Sequence, residues 1–125
     1  MKNLIIDAAT DKILFKIIVD NKSYTSDYPN SRENFDKFVT LLFNFLKKNK
    51  INIKEINNIF VNQGPGKFSG IRTSISAAKA LSLTNKLNLY GFDSELVKNQ
   101  NYDKIIDLFN KGHLIKNLIK PQYSS

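Results

Sequence analysis

Hydrophobic and polar positions along the first thirty residues alternate as they do in strands. KNLII (2–6) ends at Asp7, KILFKIIV (12–19) is rich in β-branched residues, and KSYTSDY (22–28) is a more polar third run. The links Asp7-Ala8-Ala9-Thr10-Asp11 and Asp20-Asn21 are short enough for hairpins, so an antiparallel meander of three strands is predicted. After Pro29 the period changes. Phe35, Phe38, Val39, Leu42, Phe45 and Leu46 recur at helical spacing, with Ser31 as N-cap, Glu33 in the first turn and Lys47, Lys48 and Lys50 at the far end. Residues 51–57 connect to a short buried strand, NIFVN (58–62). A glycine-rich turn, a helix over about 71–83, a strand at LNLYGF (87–92) and a short helix over 101–111 stopped by Gly112 follow.

The order βββαβαβ plus a C-terminal helix is that of one actin-like (ASKHA, ribonuclease H-like) lobe. It predicts an α/β fold with a mixed sheet of about five strands and helices packed on it. At 125 residues the chain suits one hydrophobic core, expected as an N-terminal lobe over 1–94 with a helix and tail over 95–125 packing on it.

Charge and composition narrow the chemistry. The net charge is +8, yet only Arg32 and Arg72 of the 19 basic residues are arginines, the type preferred for bidentate phosphate contacts. The chain has no cysteine and one histidine, His113, so disulfides are excluded and no metal site is expected. No apolar run approaches the ~20 residues of a membrane-spanning helix. A cytoplasmic setting is expected. Asp7 and Asp11 are the carboxylates of the first hairpin and read as turn and strand-end residues.

Gln63-Gly64-Pro65-Gly66-Lys67-Phe68-Ser69-Gly70 is the least ordinary stretch. A strand entering a glycine turn and leaving as a helix can present free N–H groups and a positive dipole end to a phosphate. The residues for such a site are Asp7, Thr10, Gly64, Gly66, Lys67, Ser69, Gly70 and Arg72, with Ser69 placed to cap the helix. The spacing is neither the Walker nor the dinucleotide form. The competing reading is a turn that lets the helix pack tightly on the sheet.

GPGKFSGIR (64–72), followed by the small-residue helix SISAAKALSL, resembles the GPGSFTGLR signature of the TsaB (YeaZ) family and its following helix. NLIIDAATDK, INIKEINNIFVNQGPG and YGFDS extend the resemblance over residues 1 to about 94. The resemblance implies a non-catalytic scaffold in threonylcarbamoyladenosine synthesis on tRNA. It implies a heterodimer with a catalytic TsaD-type subunit, sometimes joined by a TsaE-type ATPase, and a tendency to self-associate. It also implies only indirect contact with tRNA, no catalytic residue, and no intrinsic cofactor, with ATP and magnesium met only within a complex. The partner interface is expected on Phe68, Ile71, Ile75, Ala78, Phe38 and Leu42, where small neighbours let helices approach. The alternative is a small nucleotide- or phosphate-binding protein with at most weak ATPase activity.

The sequence departs from the family's pattern in places. It is about half the usual length, so the second lobe is expected to be essentially absent, with Pro121-Gln122-Tyr123 standing for a retained C-terminal segment. Ala8 replaces a common threonine, Ser31-Arg32-Glu33-Asn34 lacks a His-Ser pair, and Lys67 and Ser69 replace serine and threonine.

Overall fold

The computed structural model describes residues 1–116. The expected Pro121-Gln122-Tyr123 segment lies outside them. The chain folds as β1 (Lys2–Asp7), β2 (Lys12–Val19), β3 (Lys22–Pro29), α1 (Arg32–Asp36), α2 (Phe38–Lys48), β4 (Asn58–Asn62), α3 (Phe68–Asn85), β5 (Asn88–Phe92), α4 (Asp103–Asn110) and β6 (Ile115–Lys116). The sheet order is β3-β2-β1-β4-β5-β6. β1, β2 and β3 form the expected antiparallel meander, while β4 runs parallel to both β1 and β5. The two-residue β6 closes the far edge antiparallel to β5. The mixed α/β architecture is the one expected, with β6 added.

Alternation along each strand sends side chains to two faces. Leu4, Ile6, Phe15, Ile59 and Val61 face α2 and α3, which contribute Phe38, Leu42, Phe45, Ile71, Ile75 and Ala78 to the same cluster. Ile5, Phe60, Tyr90 and Phe92 face the other way and are covered by Val97, Tyr102 and Ile105. There Phe60, Tyr90 and Phe109 form a three-ring cluster with centroids 4.9–5.4 Å apart.

The long helix expected after Ser31 is broken at Lys37 (φ −119°, ψ 28°). Ser31 Oγ caps α1 by accepting from Asn34 N at 3.2 Å, as its position suggested. Phe38 is buried in the core across the break, and Phe35 packs partly buried against the same cluster. α3 begins at Phe68 rather than near Ile71. Its N-cap is Lys67, so Ser69 lies in the first turn and does not cap the helix. The backbone of the glycine turn, not the hydroxyl, sets that boundary. Gly112 ends the C-terminal segment in the left-handed region (φ 75°).

Both ends of the second sheet face are closed by buried amides and one carboxylate. At the amino ends, Asn88 Nδ2 donates to Asn58 Oδ1 (3.2 Å) and Asn58 Nδ2 to Asn3 Oδ1 (2.8 Å). These residues sit in register on β5, β4 and β1, so the amides form a ladder across the parallel strands. At the carboxyl ends, Asp7 accepts from Asn62 Nδ2 (3.0 Å) and Ala9 N (3.2 Å) on one oxygen and from the Tyr102 hydroxyl (2.7 Å) on the other. Asp7 is 6% exposed, and a buried carboxylate requires such donors. Tyr102 thereby ties the start of the C-terminal helix to β1.

Removing that hydroxyl with Tyr102→Phe leaves a carboxylate oxygen buried without its donor. Stability should fall by about 1–3 kcal/mol, read from the urea midpoint. The Tyr102 hydroxyl is raised well above its usual value of 10.0 by burial, and further by the Asp7 charge and hydrogen bond. The neutral phenol belongs to the folded state. Its contribution to stability is therefore whole below pH 10 and is lost above it, where only the unfolded chain ionises. Tyr102→Phe should lack that part of the alkaline loss.

Candidate functional site

The turn between β4 and α3 is built against the turn between β1 and β2. Gly64 has φ 106°, and the Gly64–Pro65 peptide is cis. A Cβ on Gly66 would come within 2.3 Å of the Ala9 carbonyl oxygen, and one on Gly70 within 1.9 Å of the Ala8 oxygen. Both obstacles are backbone and cannot swing aside, so only glycine fits. Lys67 N donates to the same Ala9 oxygen at 2.8 Å, and Gly64 N donates to Asn62 Oδ1 at 2.8 Å. Ser94 closes the turn from β5, its N–H donating to the Gly64 carbonyl and its Oγ to the Pro65 carbonyl at 2.7 Å. Asn30 reaches in from the end of β3 and donates to the Ala8 and Thr10 carbonyls. Sequence reasoning did not find the roles of Asn30, Asn62, Ser94 and Tyr102, since each is a long-range partner with no local signature.

The residues expected around a phosphate separate into two groups. Asp7, Gly64, Gly66 and Gly70 do come together, but as a packing joint in which backbone fills the faces of Gly66 and Gly70, Gly64 is hydrogen-bonded through both N–H and C=O, and the carboxylate already has its donors. Thr10, Lys67, Ser69 and Arg72 are exposed around it, and the Arg72 guanidinium lies over the Phe68 ring at 5.9 Å. Both oxygens of Asp7 are taken up by donors of the chain itself. Among the described residues no group of three or more His, Cys, Asp and Glu side chains gathers to hold a metal ion.

The outer surface of the helices is the other candidate site. A groove of about 470 Å³ lies between the α1–α2 corner and α3, lined by Phe35, Val39, Arg72, Thr73 and Ser76 among others. Val39 and Phe68 are 44% and 48% exposed beside it. The outward positions of α3 carry Arg72, Thr73, Ser76 and Ala80, mostly small.

A family model described as "TsaD: tRNA N6-adenosine threonylcarbamoyltransferase" matches residues 29–97, more than half of the chain. The tRNA threonylcarbamoyladenosine biosynthesis protein TsaB of Buchnera aphidicola (Schizaphis graminum) is 31% identical over 91 residues, 73% of this chain and 43% of that protein. The chain belongs to the TsaB/YeaZ family. Its TsaB counterpart from Buchnera aphidicola (Baizongia pistaciae) is 42% identical over 43 residues, 34% of this chain and 20% of that protein. The structure of YeaZ from Pseudomonas aeruginosa superposes with a TM-score of 0.73 at 14% identity, covering 85% of this chain and 50% of that one. That likeness establishes the fold. The chain spans less than half the length of the curated TsaB relatives it matches.

For this TsaB/YeaZ member the expected interface needs correction. Ile71, Ala78 and Leu42 are 0% exposed, Phe38 is 2% and Ile75 is 4%. They pack on the chain's own sheet, because the sheet face they cover is apolar and has nothing else over it. Of the six residues expected to meet a partner, only Phe68 reaches the surface. The large exposed apolar side chains of the same helices are Val39 and Phe43 on α2 and Phe68 and Leu83 on α3. No helix among the described residues is long and apolar enough to cross a membrane.

Gly70→Ala tests the joint. Its methyl group would meet the Ala8 carbonyl, and the variant should lose about 3 kcal/mol or more in thermal or urea denaturation. Lys67→Ala, on the exposed side of the same turn, should change stability by no more than about 0.5 kcal/mol.

Proposed function

We propose that this chain is a non-catalytic, cytoplasmic scaffold subunit in the biosynthesis of N6-threonylcarbamoyladenosine on tRNA, and that it binds and stabilises a TsaD-type catalytic subunit. The observation that carries the reading is the outward surface of α2 and α3. Val39 stands exposed in a groove whose α3 wall is Arg72, Thr73, Ser76 and Ala77, and exposed Phe68 lies under the Arg72 guanidinium. Exposed aromatic and aliphatic side chains at a recess gain most when a partner removes them from water, and small neighbours let its backbone come near. Family membership supports the pathway, since the TsaB relatives carry threonylcarbamoyladenosine biosynthesis in their names. A TsaE-type ATPase would join the assembled pair.

Supporting the non-catalytic part of the reading, Asp7 is engaged on both oxygens, and the backbone of the glycine turn is used in packing. The same observations weigh against the small nucleotide-binding alternative. Self-association would use the same apolar surface, so a homodimer should give way when the catalytic subunit is added.

Size exclusion with the TsaD-type subunit of the same organism tests this. The wild-type chain should co-elute with it. Val39→Asp and Phe68→Asp should keep their melting temperature within about 3 °C and lose co-elution, whereas Ile75→Asp should fail to fold, since it places a charge in the core. Unchanged co-elution of both surface variants would rule out this face.

A further inference from the structure

At the end of the sheet opposite the glycine turn, β1 and β4 begin, β2 gives way to β3, and the C-terminus of α2 arrives beside them. Two grooves of about 570 and 470 Å³ open there and share Lys50 and Ile51 as a common wall. The first is lined by Phe43, Lys47 and Asn52, the second by Lys22, Tyr24 and Asn49. Phe43 is 39% exposed and Tyr24 37%, so each groove offers one accessible ring. Lys2 also lines the second groove but is held by Glu55 of the first. Among the described residues Lys22, Lys47 and Lys50 form no ion pair. The remaining carboxylate is Asp20, at the rim of the second groove.

We infer that these joined grooves form a docking surface for a single-stranded stretch of RNA. Unpaired ammonium groups spaced along a recess attract successive phosphates, and their neutralisation releases counterions. One exposed ring in each groove gives a base a face to stack on, which an unstacked strand can use and a duplex cannot. Asn49 Nδ2 donates to the Phe45 carbonyl and Asn52 Oδ1 accepts from Lys54 N, so Asn49 Oδ1 and Asn52 Nδ2 are the acceptor and donor offered to base edges or the 2′-hydroxyl. An anionic membrane would be met by a flat or convex basic face with apolar groups able to insert, not by two recesses. The choice of RNA rests on the proposed role in tRNA modification, and it replaces the expected indirect contact with a direct one. The surface lies at the other end of α2 from the groove at Val39, so both can be occupied together.

Fluorescence anisotropy of the isolated full chain with a labelled 12-nucleotide mixed-sequence RNA is the test. Binding should weaken with salt at a log–log slope of roughly −2, from three phosphate contacts at about −0.7 each. Lys47→Gln with Lys50→Gln should lower affinity at least fivefold and bring the slope to about −0.7. Phe43→Ser and Tyr24→Ser should each lower affinity about fivefold or more with the slope unchanged. Lys79→Gln with Lys111→Gln, on other surfaces, should stay within twofold. Melting curves confirm that each variant is folded. The inference is overturned if the RNA does not bind at 50 mM salt, or if the distant lysine pair matters as much as Lys47 and Lys50. Tighter binding of duplex RNA or of phosphatidylserine vesicles would overturn it too. Co-elution with the TsaD-type subunit is scored separately. A chain that co-elutes without binding RNA defeats this inference alone, and one that binds RNA without co-eluting defeats only the scaffold reading.

Discussion

The contact between two stretches of backbone organises this molecule. The carbonyl oxygens of Ala8 and Ala9 press into the space where Gly70 and Gly66 have no side chain, and Lys67 N–H bonds to one of them. That joint fixes where α3 starts and how close it lies to the sheet. Once α3 is seated, Ile71, Ile75 and Ala78 must bury themselves against the sheet, and the opposite stripe of the helix is left facing outward. The signature that most resembles a ligand cradle therefore acts first as a spacer of zero thickness between a turn and a helix.

The second sheet face shows how a small core tolerates polar groups. Asn3, Asn58 and Asn88 are bonded to one another across β1, β4 and β5, and Asp7 is surrounded by donors from β4, its own turn and Tyr102. Each group would be costly in an apolar setting without its partner. Because the partners lie on different strands, any slip in register would strand them. The hydrophobic centre of this face, Ile5, Phe60 and Tyr90, supplies burial, while the two polar borders specify alignment.

The meander, β4, α3 and β5 were legible because their apolar periods, 2 in strands and 3.6 in helices, leave little choice. Ser31 was legible as a cap because capping is local. The surface was not. A stripe such as Ile71, Ile75 and Ala78 reads the same whether it will meet the chain's own sheet or another molecule, and only the uncovered apolar face of β1, β2 and β4 decides. Ser69 looked like a cap because local chemistry favours it there, but the backbone joint at Ala9 places the helix start at Lys67. The glycines were legible as a turn, yet whether their bare faces would meet phosphate or carbonyl oxygen depended on Ala8 and Ala9, more than fifty positions earlier. The link between Asp7 and Tyr102 had no signal at all, since nothing in either neighbourhood points to the other.

That link also constrains the order in which the chain can complete itself on the ribosome. The hydroxyl that satisfies the second oxygen of Asp7 is synthesised 95 positions after it. Until then the hairpin of β1 and β2 must keep this carboxylate in water, with the adjoining face of the sheet still open. Closure of this face is thus deferred until the start of α4 has emerged. Ile5, Phe60 and Tyr90 therefore wait in water for the segment carrying Tyr102 and Ile105 to cover them.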